Sequence, residues 1–249
     1  MFYSFFLLLR RLLSWIDFLL VTLIVYLLSF LPKFLTENWY YPVFRFWCKT
    51  FIRALGVNLK RHQKNVFPLP QQYIVIGNHP SAFEDIGMPY FFKAHFLAKE
   101  ELGNWWILGR ISRFARTFYV KRESNNSRKQ ALEQLLNILE KGHNIGLYPE
   151  AGCKGRRIFL PFRYGTFEAA MVTGIPILPV FLHYESQEDF EWREKETLIH
   201  KLWKILTSEN KTANYYIFDP ICPKGFDSKE QLCQHIQNLY LQWQAKYLE

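Results

Sequence analysis

The chain has 249 residues, enough for one sizeable domain with a full hydrophobic core and an appendage. Its 31 Lys and Arg against 22 Asp and Glu leave a net charge of +9, which selects an anionic partner: nucleic acid, an acidic bilayer or a phosphorylated substrate. Cys48, Cys153, Cys222 and Cys233 show no C-x-x-C spacing, which argues against a zinc site or a disulfide framework and for a reduced, cytoplasm-facing domain.

Leu12 to Leu31 is almost wholly apolar, interrupted by Ser14, Asp17, Thr22 and Ser29 and closed by Pro32. A helix of about 20 residues spans a hydrocarbon core. Asp17 is costly there, at roughly 3 kcal/mol or more near mid-bilayer, unless it reaches the interface or is protonated. No A-x-A cleavage pattern follows, so a removable signal peptide is not expected. Leu35 to Leu55 mixes Trp39, Tyr40, Tyr41, Phe44, Phe46, Trp47 and Phe51 with Arg45, Lys49 and Arg53, a composition suited to a helix in the headgroup layer. Cations follow the apolar run in greater number than precede it, which puts the remaining domain on the cytoplasmic face of a membrane. We therefore expect a membrane-anchoring helical pair over residues 1–58 and a catalytic domain over 59–249.

Beyond a polar stretch, Arg61 to Gln72, the residues Tyr73 to Gly77 read as a short buried strand. Ser81 then reads as a helix N-cap, with Glu84 completing a capping box. Further strands are expected at Ala94–Ala98, Phe118–Val120, Asn144–Tyr148, Ile177–Leu182 and Tyr215–Phe218. Helices are expected at Trp105–Arg116, Ser127–Lys141, Phe167–Thr173, Glu194–Leu206 and Ser228–Tyr247. Strands alternating with helices define an α/β fold, a mostly parallel central sheet flanked by helices.

His79 follows the first strand directly, at the mouth of a helix, where α/β folds place their ligands. Glu84 and Asp85 lie five and six residues on. A carboxylate on one imidazole nitrogen fixes the tautomer and stabilises the imidazolium formed when the other takes a proton. Glu84 suits a mere capping acid equally well. There is no G-x-S-x-G elbow, which points to direct attack by a substrate hydroxyl without a covalent acyl-enzyme.

Gly77-Asn78-His79-Pro80-Ser81-Ala82-Phe83-Glu84 resembles the first block, N-H-x-S-x-x-D, of the 1-acylglycerol-3-phosphate acyltransferase (PlsC-type) family. Phe96 to Leu102 followed by Phe118-Tyr119-Val120-Lys121-Arg122 resembles the second. Tyr148-Pro149-Glu150-Ala151-Gly152, continued by Leu160-Pro161-Phe162-Arg163-Tyr164-Gly165, resembles the third, usually F-P-E-G-T-R and F-K-x-G. Gly174 to Val180 resembles the fourth, G-V-P-I-V-P-V. The four blocks occur in order over residues 73–183. The resemblance implies His79 as general base with Glu84, or Asp85, as its acid. It also implies substrate contacts from Asn78, Ser81, Lys99, Lys121, Arg122, Glu150, Gly152 and Lys154, with the phosphate held by Lys121 and Arg122. Glu150 would bind the acceptor hydroxyl or order the cationic loop.

Two departures stand out: Glu84 replaces the usual Asp, and Cys153 replaces the third-block Arg, as in some lysophospholipid acyltransferases. The implied reaction moves a long acyl chain from coenzyme A or acyl carrier protein to a lysophosphatidate-like hydroxyl in the membrane. It needs no metal or other cofactor, and nucleic acid is set aside as a partner. Glycerol 3-phosphate, a lysophospholipid or an aminolipid are alternative acceptors; a silent membrane scaffold of the same fold is the rival from another class.

Overall fold

The computed structural model describes residues 2–31, 37–99, 103–104, 106–120, 125–193 and 196–248. Two long helices come first, α1 (Phe2–Leu28) and α2 (Glu37–Leu55), followed by β1 (Asn58–Gln63), β2 (Ile74–Gly77), α3 (Glu84–Phe91), β3 (His95–Lys99), α4 (Trp106–Phe114) and β4 (Phe118–Val120). The second half holds α5 (Asn125–Glu140), β5 (Ile145–Leu147), α6 (Gly165–Thr173), β6 (Ile177–Tyr184), a short α7 (Gln187–Phe190), α8 (Leu198–Thr207), β7 (Thr212–Ile217) and α9 (Lys229–Tyr247).

The seven strands form one sheet in the order β1-β7-β6-β2-β5-β3-β4. Every pairing is parallel except β6 with β7. Ile74, Val75 and Ile76 are fully buried, because β2 sits mid-sheet with helices on both faces, where a continuous β-branched run is the stable choice. Alternation then sorts the core into two layers. Val75, Leu178, Val180, Leu182 and Tyr215 pack with Ile52, Leu55, Met88, Phe190 and Ile205 of α2, α3, α7 and α8. Ile74, Ile76, Ile145 and Phe181 pack with Leu135, Leu139, Phe167, Leu232 and Tyr240 of α5, α6 and α9. Burial of each such large side chain contributes about 1.5–3 kcal/mol.

The helical pair is built into this core. Phe18 stacks on Phe51 with ring centroids 4.6 Å apart, the Trp47 indole N–H donates to Thr22 Oγ1 at 3.0 Å, and Arg53 meets Asp17 at 3.1 Å. Asp17 is thus neutralised from the neighbouring helix. Gly56, with φ +73°, ends α2; its N–H donates to Arg53 O and the Val57 N–H to Ile52 O, and the chain passes straight into β1. Outward, α1 shows bare Leu12, Leu13, Ile16, Leu19, Leu20, Leu23, Ile24 and Leu27. Leu9–Leu28 is the single helix among the described residues long and apolar enough to cross a bilayer.

Three expectations are corrected. Asn58–Gln63 lies partly in the stretch read as polar connection, yet it is a strand; it is the sheet edge, where Lys60 and Arg61 face out and only Leu59 and His62 are half-buried. The helix after His79 opens at Glu84, with Phe83 at its cap and no side-chain cap, so Ser81 stands outside it. The helix expected at 194–206 is described from Leu198, where Thr197 caps it by accepting the His200 N–H; residues 194–195 lie outside the described ones.

Candidate active site

Gly77 ends β2 at the centre of the sheet, and the chain turns through Asn78-His79-Pro80-Ser81 before α3. Asn78 is buried and fastens this turn to β6: its amide donates to Leu182 O at 2.9 Å and accepts the Leu182 N–H at 2.7 Å. The Ser81 N–H donates to Glu84 Oε1 at 2.7 Å, and Ser81 Oγ accepts the Phe83 N–H at 3.3 Å. Half of a capping box therefore forms, and it draws Glu84 back over the turn.

That draw sets the histidine's environment. Glu84 is fully buried, and its second oxygen lies 3.9 Å from His79 Nδ1. Burial pushes its carboxyl well above the usual range, while the N–H groups of Glu84 and Ser81 and the Tyr184 hydroxyl pull it down and Asp85 pushes it up. Asp85 itself is exposed. The His79 ring stacks on Tyr148 at 4.1 Å and 12°. Behind it, the buried hydroxyls of Tyr148, Tyr184 and Tyr215 cluster beside the second oxygen of Glu84, with Tyr184 set between Glu84 and Tyr215. Tyr215 is too close for anything but glycine at 87, where a Cβ would stand 2.0 Å from its hydroxyl.

Glu150 holds the turn from below. It is buried, with one carboxylate oxygen accepting the His79 N–H and the other the Phe159 N–H, both at 2.8 Å. Both oxygens thus hold backbone N–H groups, one in the histidine turn and one at Phe159. Burial, opposed by those two N–H groups, pushes its carboxyl up to about 7. Ala151 next to it adopts φ +61°, a left-handed conformation where the third block usually has Gly, at a cost of roughly 1–2 kcal/mol. Gly152 is half-buried in the same turn, and Lys154 is exposed, its ammonium over the Phe159 ring at 4.9 Å and its N–H donating to His79 O at 3.3 Å.

Cys153 stands against the histidine. Its Sγ is 3.3 Å from Nε2 and 3.7 Å from Nδ1, and it donates to Ser81 O at 2.9 Å. A sulfur on the Nε2 lone-pair axis would be much farther from Nδ1, so near-equal distances put it beside the ring, off that axis. An alkyl group added to this sulfur fills the site. N-ethylmaleimide is expected to cut activity about tenfold or more, since an adduct beside the ring displaces the reacting groups, and Cys153→Ser to resist it; equal sensitivity of both proteins would refute the placement.

A second wall comes from the segment after β6. The Trp192 N–H donates to Pro80 O at 2.7 Å, and Arg156 of the third-block loop pairs with Glu191 at 3.0 Å. Lys201, fully buried, donates to Asp189 O and Glu191 O and pairs with Glu196 at 2.8 Å, so a buried ammonium fixes the segment. Sequence reasoning missed Tyr184, Tyr215 and Lys201. Tyr148, where the third block has Phe, was a signal for the tyrosines; nothing local marked Lys201. Lys121 and Arg122 lie outside the described residues, as does the Lys99 side chain at the end of β3. Among the described residues no group of His, Cys, Asp and Glu is arranged to hold a metal ion.

A central-strand histidine beside a buried carboxylate, at the carboxyl end of a mostly parallel sheet, is an arrangement suited to acid–base chemistry in an α/β fold. The chain belongs to the acyltransferase family: the family model described as Acyltransferase matches residues 58–183, and the chain is of the PlsC type. It is 29% identical over 115 residues to a 1-acyl-sn-glycerol-3-phosphate acyltransferase of Neisseria gonorrhoeae, covering 46% of this chain and 45% of that protein. It is 25% identical over 199 residues to the lyso-ornithine lipid O-acyltransferase of Rhodobacter capsulatus, covering 74% and 69%. The match thus spans about half the length of the Neisseria relative. The crystal structure of the 1-acyl-sn-glycerophosphate acyltransferase PlsC from Thermotoga maritima shares the fold, with TM-score 0.65 at 21% identity over 91% of this chain and 94% of that one.

Proposed function

We propose that the chain transfers a long acyl group from a thioester of coenzyme A or acyl carrier protein to the free hydroxyl of a lysophosphatidate-like glycerolipid. The observation that carries this is the buried His79 imidazole at the end of the central strand β2, with Glu84 Oε2 3.9 Å from its Nδ1. Nε2 takes the acceptor's hydroxyl proton as the oxygen attacks the thioester carbonyl. Glu84 steadies the imidazolium, and the same proton goes to the departing thiolate as the tetrahedral intermediate collapses. Glu150 and Asn78 position the histidine through backbone and strand contacts. Arg122 and Lys121 hold the acceptor phosphate; Lys154, Arg156 and Arg157 present cations beside the turn for the donor or a lipid phosphate. The apolar surface of α1 lies in lipid, with the sheet on the cytoplasmic side.

A lyso-ornithine-type acceptor is the second reading, favoured by the 199-residue span of that alignment. The test is the purified chain in liposomes, assayed with both thioester donors against lysophosphatidate, glycerol 3-phosphate, lyso-ornithine lipid and lysophosphatidylcholine. Acylation of lysophosphatidate above the others is expected. Preference for the aminolipid selects the second reading, and no transfer to any acceptor overturns both in favour of a silent scaffold.

A further inference from the structure

Helix α8, Leu198–Thr207, is built inside out. Its charged Lys201 is fully buried, and of its large apolar residues Ile199 is 81% and Trp203 62% exposed. These two lie four residues apart, so they share one face, and half-buried Leu206 continues the stripe one turn on. Single apolar residues at a surface are ordinary, but a Trp and an Ile adjoining on one helix face form a contiguous apolar strip, which marks a contact surface. The lysine is needed inside, where it ties Asp189, Glu191 and Glu196. The apolar face is then left for something outside.

What that something is follows from the neighbours. α8 packs against α2, and its Ile205 shares the core layer with Ile52 and Leu55, against which Trp15 of α1 also packs. Lys211, in the loop from α8 to β7, is held below its ordinary value by burial and by Arg11 of α1, so that loop lies beside α1. α1, α2 and α8 thus cover the same face of the sheet, and the bare leucines of α1 and the Ile199–Trp203 face belong to helices of one layer. Arg10, Arg11 and Lys211 supply positive charge there. The acid Glu196 is already neutralised: burial opposes its charge, yet Lys201 and Lys204 hold its carboxyl down at about 2. A short amphipathic helix with a Trp and a β-branched residue outward, among cations, matches the headgroup layer of an anionic bilayer.

We propose that Ile199 and Trp203 of α8 form a second lipid-contacting surface that seats the catalytic face on an anionic bilayer beside α1. This rests on the placement of α1 in lipid given above, and it adds a contact outside the N-terminal pair. It fixes the roll of the domain about the α1 axis, which one helix leaves undetermined.

The test uses the full chain in phosphatidylethanolamine–phosphatidylglycerol vesicles, with the photoreactive residue benzoylphenylalanine placed singly at position 199, at 203, at 20 in α1, or at 234. Gln234 is exposed on α9, on the opposite face of the sheet. Irradiation is expected to attach phospholipid at 199, 203 and 20 but not at 234. Lipid at 20 with none at 199 and 203 overturns this proposal alone; lipid at none of the three overturns the placement of α1 as well. A crosslink from 199 to a second copy of the chain also overturns it, since the face is then a dimer contact. In a second arm, the double variant Ile199→Ser/Trp203→Ser is expected to raise KM roughly tenfold for vesicle-embedded acceptor while leaving kcat on monomeric short-chain acceptor unchanged. Unchanged KM in vesicles, or an equal loss on both acceptors, counts against it.

Discussion

His79→Ala is expected to lower kcat by about 10²- to 10⁴-fold, the range lost when a general base is removed. The folded state should survive, since the ring contributes one stacking contact with Tyr148 and its backbone bonds to Glu150 and Lys154 remain. A stability loss of about 1–2 kcal/mol is expected from the space left over Tyr148. Thermal unfolding and acyl transfer, measured on the same preparation, separate the two effects; residual activity within tenfold of the parent would refute His79 as base. The partner is tested by Glu84→Gln beside Asp85→Asn. The first removes the ionisable carboxyl facing Nδ1 while keeping an oxygen for the Ser81 N–H, and should cost up to about 10⁴-fold in kcat. The second alters an exposed side chain and should cost far less. The reverse ranking would assign the acid to Asp85.

Glu150→Ala should be the more damaging change to the fold. It strands two N–H groups, those of His79 and Phe159, at roughly 1–3 kcal/mol for each donor left without an acceptor. Activity should fall about 100-fold as well, because a shift of the His79 backbone by an ångström misplaces its ring. Denaturant unfolding resolves the stability part, and an unaltered midpoint would contradict the bonding described. The same carboxyl gives a pH signature. Its folded value, about 7, lies above the ordinary 4.5, so the native protein keeps a proton that the unfolded chain has released. Its contribution to stability therefore declines as pH rises from 4.5 to 7 and levels off above. Glu150→Gln should flatten that slope, which unfolding midpoints across this window would show.

Much of the fold was legible because the central strands are continuous apolar runs and the helices between them carry an apolar face. Ile74–Gly77, Ile177–Tyr184 and Lys229–Tyr247 fall where period and punctuation put them. Edge strand β1 was not legible: its sequence, Asn58-Leu59-Lys60-Arg61-His62-Gln63, is polar because its outer side meets water, and only pairing with β7 makes it a strand. Within the site, the neighbourhood of His79 and Glu84 was readable from their spacing, since five residues of turn return a side chain to the starting point. The choice of Glu84 over Asp85 for burial was not, because it depends on the path of the turn through Ser81. Tyr215 reaches the site from a strand more than 130 positions away along the chain, a distance no local pattern spans. The thiol beside the imidazole was visible only as a departure from the third block; its contact needed the left-handed backbone at Ala151 to bring it round.

The direct passage from α2 through Gly56 into β1 has a mechanical consequence. With no slack between helix and strand, and with Ile52 and Leu55 sunk in the sheet's own core, the helical pair is a bracket and not a tether. Once α1 is embedded as proposed, the height of the catalytic turn over the lipid is fixed by covalent and packing geometry and leaves nothing to chain diffusion. Such a protein samples hydroxyls at one depth. A lipid whose free hydroxyl rides higher or lower must move to meet it, so bilayer thickness and headgroup tilt enter the turnover rate as directly as the chemistry does.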